Sequence, residues 1–211
     1  MSPRLKQAKR AVAAEAARIM ATEGQRNYLA AKQKAADRLG ISTALALPSN
    51  KEVESALKSY QNLYGSELRH EHLQQLRAAA LEAMDFLELF QPKLVGPVLD
   101  GTADHHSRVS LHVFSETPDE INLYLMENGI PYREENRRIR WHTGKHRDLA
   151  LLITEAGDVT IELCLFSSKD LRQPPPSPVD GRPQRRAGRQ AVRLLQMRSD
   201  KQWGQRCSIE I

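Results

Sequence analysis

Arg108 and Ser110 in "RVSLHVF" are residues whose types and spacing could do chemistry together, and "DVTIELCLF", which carries Glu162, is a later stretch of similar composition. Both stretches are rich in β-branched and apolar residues and read as strands, and on a strand positions 108 and 110 point to the same side. Upstream, "VGPVLDGTADHHS" sets Gly96 and Gly101 at the two ends of a short turn. Amides of a glycine turn approach phosphate oxygens, and an arginine guanidinium matches phosphate in charge and shape. Gly96, Gly101, Ser107, Arg108 and Ser110 therefore form a candidate nucleotide-binding set.

Residues 95 to 114 resemble the signature of the DNA polymerase β-like nucleotidyltransferase superfamily: an apolar strand ending in Gly-Ser, a second Gly, then Ser followed by Asp-x-Asp on the next strand. Gly96, Gly101, Ser107 and Leu111, with the apolar Val98, Val109, Val113 and Phe114, fall where that pattern puts them. The resemblance covers residues 90 to 166. It implies paired Asp side chains that hold two magnesium ions against a nucleotide triphosphate, and a third carboxylate on a later strand.

Pro97 stands at the Ser position, however, and Arg108 and Ser110 stand where the two Asp residues should be. The resemblance implies Glu162 as the third carboxylate and hence the candidate catalytic residue, opposite the glycine turn and Arg108, with Asp158 as the lesser candidate. One acid does not hold two divalent ions, which need several hard oxygen ligands. The resemblance thus implies a degenerate member that has lost metal-dependent transfer, uses no cofactor and binds nucleotide or RNA. Magnesium belongs to a rival reading, an active transferase with an unconventional acid set of Asp100, Asp104 and Glu162. A third reading makes the helical half a scaffold that docks a protein partner.

Two basic stretches extend the nucleic-acid theme. "YREENRRIRWHTGKHR" gathers Arg137, Arg138 and Arg140 around Trp141, and "GRPQRRAGRQAVRLLQMR" contributes Arg185 and Arg186. Cations interleaved with an aromatic ring suit a single strand, whose phosphates and bases they contact. The Asp104–His106 triplet offers metal-competent side chains but reads as a polar turn, and His70 and His72, two apart on a helix, do not face the same way. No P-loop, dinucleotide fingerprint or HExxH motif occurs.

The elements that must position these residues are α+β: a helical N-terminal region over 1–91, a small mixed-sheet core with flanking helices over 92–168, and a Pro/Arg-rich segment over 169–211. Four helices are expected in the first part, over 4–22, 28–39 closed by Gly40, one opening at the Ser49/Glu52 capping box, and 67–89. The strands are expected at "KLVGPVL", "RVSLHVF", "RIRWHT", "DLALLIT" and "DVTIELCLF". A helix capped by Thr117 and Glu120 links the second strand to the third, and a last short helix spans 189–196.

Charge is distributed unevenly: residues 1–48 carry 9 basic against 3 acidic groups and residues 169–211 carry 10 against 4, whereas residues 49–120 carry 6 against 12. Basic ends around an acidic middle suit phosphate contact or ends that fold back on the body. No apolar run is long enough for a membrane span and the N-terminus lacks a secretory pattern, so a cytoplasmic protein without membrane contact is expected. Cys164 and Cys207 have no metal-ligand spacing, and Cys164 reads as core filling.

Overall fold

The computed structural model describes the backbone of residues 3–43, 47–63 and 66–207, and the side chains of these residues except 62–68 and 199–207. The chain divides into two compact units. One comprises Met1–His70 with Asp104–His106 and Ser177–Arg182; the other comprises Glu71–Ala103, Ser107–Pro176 and Pro183–Ile211. The fold class is α+β, a helical N-terminal region followed by a five-stranded mixed sheet with flanking helices.

In the helical unit, α1 (Pro3–Glu23), α2 (Tyr28–Leu39) and α3 (Asn50–Leu63) pack through small side chains. Val12, Ala13, Ala16, Ala17, Ile19 and Met20 of α1 meet Ala31, Ala35 and Ala36 of α2 and Val53 and Leu57 of α3. Alanine at the contact lets helix axes approach closely, so a short apolar stripe closes the core. Asn27 caps α2 through its side chain, and Gly40 ends it in the left-handed conformation at φ 64°. The capping box forms as expected: the Ser49 amide donates to Glu52 at 2.7 Å and the Glu52 amide donates to the Ser49 hydroxyl at 3.2 Å. The last inward position expected of α3 is Leu63 or Tyr64; the Leu63 side chain and the whole of Tyr64 lie outside the described residues.

The other unit begins within α4 (Ser66–Phe86), which a 3₁₀ turn (Glu88–Phe90) follows. Then come β1 (Lys93–Val95), the one-turn α5 (Pro97–Asp100), β2 (Val109–Ser115), α6 (Pro118–Glu127), β3 (Arg133–Arg140), β4 (His146–Ala156) and β5 (Val159–Ser167). A second 3₁₀ turn (Ser168–Arg172) and α7 (Arg189–Cys207) complete it. The sheet order is β1-β2-β5-β4-β3, with β2 parallel to β5 and every other pair antiparallel. A parallel pair needs a crossover, and α6 with the β3–β4 hairpin supplies it.

Alternation sorts the side chains onto two faces. One face carries Val109, Leu111, Val113, Leu152, Ile161, Leu163 and Leu165, and Leu76, Ala80 and Met84 of α4, Leu87 just after it, Ile121 and Leu125 of α6 and Val192 of α7 pack against it. The other face carries a smaller cluster of Phe114, Leu149, Leu151, Ile153, Cys164 and Phe166. Cys164 is core filling, as its apolar neighbours in sequence suggest, and burial pushes its thiol up to about 11.

Four details depart from expectation. "PVL" after Gly96 is a helical turn, because Pro97 supplies no amide for a ladder and suits the first helical position. β3 shares only Arg138–Arg140 with "RIRWHT" and starts earlier, over the charged run from Arg133; an edge strand exposes side chains that a central one would have to bury. The Thr117 hydroxyl does not cap α6: it donates to the Glu120 carboxylate at 3.4 Å, while Ser115 donates to the Thr117 carbonyl. The last helix runs on to Cys207.

Candidate functional site

Parallel pairing of β2 and β5 puts Ser110 directly beside Glu162. The Ser110 hydroxyl donates to Glu162 Oε2 at 3.3 Å. Arg108, two residues back on the same side, donates to Oε1 at 3.1 Å. A third donor comes from the edge of the sheet: Arg137 of β3 reaches diagonally across β4 to Oε2 at 2.7 Å. Positions 108, 110 and 162 therefore converge, and Arg137 joins them.

The Glu162 side chain is 4% exposed, whereas Arg108 and Arg137 are 37% and 39% exposed. A carboxylate removed from water must be paired or it shifts to its neutral form, and here each oxygen has a guanidinium. Each arginine gives Glu162 one nitrogen, and its side chain stays partly exposed. The arrangement pairs a buried anion with two partly exposed cations.

A second centre on the same face has the same composition. Asp170, in the 3₁₀ turn after β5, accepts both ends of the Arg147 guanidinium at 3.2 and 2.9 Å. Arg186 lies over the rings of Phe114 and Phe166, at 4.9 and 5.0 Å from their centroids, and donates to the Asp170 and Leu171 carbonyls. Its Nε donates to His112 Nδ1 at 3.0 Å, which fixes His112 as the Nε2–H tautomer. Burial, then the nearby charges of Arg186 and Arg137, bring the His112 imidazolium down to about 3, so this ring stays neutral. Burial likewise brings Arg186 down to about 10, still protonated at neutral pH.

The glycine turn belongs to the same end of the sheet. Val95 pairs with Ser110, so Gly96 follows one residue beyond the site strand, at φ 73°. Gly101 ends the turn at φ 73°, and the buried Arg77 braces it by donating to the Val98 carbonyl at 3.3 Å. Ser107 immediately precedes Arg108 and is half-buried.

The six residues expected to contact nucleic acid are not one surface. Arg137 is at the Glu162 centre and Arg186 at the Asp170 centre. Trp141 has Arg147 stacked 4.2 Å over its ring, which occupies one of the two faces a base would use. Arg185 pairs with Asp100 at 3.5 Å. Arg138 and Arg140 alternate with Arg137 and are exposed on the opposite side of β3.

The acids of the rival reading have other work. Asp100 holds Arg185, and Asp104 accepts the His106 amide at 3.0 Å in a turn where the His105 and His106 rings stack at 3.9 Å. Among the described residues, no three His, Cys, Asp or Glu side chains gather to hold a metal ion. Among them, too, no helix is long and apolar enough to cross a membrane. No protein-family model matches the chain, and no curated protein matches it significantly.

Proposed function

We propose that this protein is a degenerate relative of the DNA polymerase β-like nucleotidyltransferases that binds nucleotide or RNA through phosphate contacts and does not transfer nucleotides. The observation that carries this reading is the Glu162 centre: Arg108 and Ser110 sit at the two Asp positions of the signature and are bonded to the residue at the third. Guanidinium charge and a hydroxyl stand where metal ligands belong, so electrostatic attraction for phosphate remains while the hard-oxygen cage for divalent ions does not. The order of the pieces agrees: an apolar strand, a glycine-bounded turn, an antiparallel second strand and a parallel acidic strand. Arg137 strengthens the reading by adding a second guanidinium at the same carboxylate.

The test is binding of labelled RNA and nucleotide in EDTA, together with magnesium-dependent incorporation of labelled nucleotide triphosphates. Metal-independent binding that weakens in Arg108→Ala, without incorporation, is expected. Incorporation abolished by Glu162→Gln overturns the reading.

A further inference from the structure

β3 is the last strand of the sheet and pairs with β4 along its whole length, from Arg133 to Arg140. In an antiparallel pair every second residue turns its N–H and C=O toward the neighbouring strand, so the alternate residues of β3 turn theirs away from β4. Among the described residues, no backbone group meets them there. Such an edge is a template for another strand, and proline, a bulge or charged side chains normally guard it. β3 has no proline, and its register with β4 runs without a bulge. It is charged, but its charges are sorted by sign: Glu134 and Glu135 precede Asn136, and Arg137 and Arg138 follow it.

That order is its own complement when the strand is reversed. Two antiparallel copies related by a two-fold axis at Asn136 put Glu134 opposite Arg138 and Glu135 opposite Arg137, each pair occurring once on either side of the axis. Arg133 then meets Ile139, and Tyr132, just before the strand, meets Arg140, so no like charges are opposed. An axis one residue earlier sets Glu135 against itself and Arg133 against Arg137; one residue later it sets Arg137 against itself. Parallel pairing in register opposes every charge to its like.

We propose that this protein forms a two-fold symmetric dimer by antiparallel pairing of β3 with β3 of a second copy, in the register centred on Asn136. Glu134, Asn136 and Arg138 lie on one side of the strand and are exposed. Arg138 has Asp148 beside it on β4, so Glu134 of the second copy completes a row of acid, base and acid across three strands. On the other side Glu135 and Arg137 already pair with Arg133 and Glu162, and the second copy adds one opposite charge to each.

The experiment is sedimentation velocity of the full chain at low salt from about 10 µM to about 1 mM, a range in which a small interface shows itself. The unaltered protein is expected to dimerise, and more weakly as salt is raised. Glu134→Arg and Arg138→Glu each oppose like charges twice per dimer, and each is expected to weaken self-association roughly tenfold or more. An equimolar mixture of the two variants restores opposite charges between copies and is expected to regain the dimer, as is the double change Glu134→Arg, Arg138→Glu. An unaltered protein that stays monomeric over this range overturns the proposal, the charges of β3 then being a guard. A dimer that both single variants leave intact overturns it, and so does a mixture that associates no better than its components.

Discussion

Arg137 donates to Glu162 at 2.7 Å from two strands away, crossing β4 to reach a carboxylate that is 4% exposed. The edge strand is thereby tied to the parallel pair at the centre of the sheet, and the site and the fold depend on one ion pair. Removing one partner of a fully buried pair costs about 3–5 kcal/mol, and exposure of the guanidinium side lowers that figure.

Arg137→Ala is therefore expected to destabilise the protein by about 1–3 kcal/mol in urea unfolding, since Arg108 and Ser110 still partly satisfy Glu162. The double change Arg137→Ala, Glu162→Leu is expected to recover most of that loss, because no unpaired carboxylate then remains. An Arg137→Ala protein as stable as the parent contradicts the pairing.

His112 makes a pH prediction of definite sign. Its imidazolium falls from 6.5 to about 3 on folding, so the unfolded chain binds the extra proton between those values. Its contribution to stability is full above pH 6.5 and is lost as pH falls toward 3. His112→Phe, which keeps a ring against Phe166, is expected to flatten the stability profile over that range. An unchanged slope shows that His112 is not the group responsible.

The helical unit has its own sensitive position. Gly24 has φ +66°, and a Cβ there would come within 2.8 Å of His106 Cγ. Gly24→Ala is expected to cost about 1–3 kcal/mol from backbone strain and displacement of the ring, whereas Gly40→Ala meets only the strain. Thermal unfolding of the two variants separates these effects; equal losses contradict the close approach.

Capping gives a further measurable step. Glu52 lies below the usual carboxylate range because the Ser49 amide and then its hydroxyl donate to it. Its stabilising effect is present above the unfolded carboxylate range and is lost as pH falls through the lowered folded value. Ser49→Ala is expected to remove about 1 kcal/mol at neutral pH. A smaller loss in acid follows from protonation of Glu52, and a loss independent of pH contradicts the reciprocal box.

Much of this was legible because it is local. The Gly40 end of α2 and the Ser49 box follow from short-range rules that the fold then reinforces. The convergence of 108, 110 and 162 was legible through resemblance together with the two-residue period of a strand. Arg137 as a partner of Glu162 was not, because register between strands is set by packing and no sequence spacing reports it. The Arg147–Asp170 pair was hidden for the same reason. Charged β3 looked like a solvated or nucleic-acid-binding run, since edge strands tolerate the composition of a loop.

The central claim is that guanidinium groups at Glu162 hold phosphate without metal, and the salt dependence of RNA binding tests it most directly. For a single-stranded oligonucleotide in EDTA, a log–log slope shallower by about 1.4 is expected in Arg108→Ala, Arg137→Ala, with at least tenfold weaker binding at low salt. An unchanged slope and affinity in that variant would contradict the account.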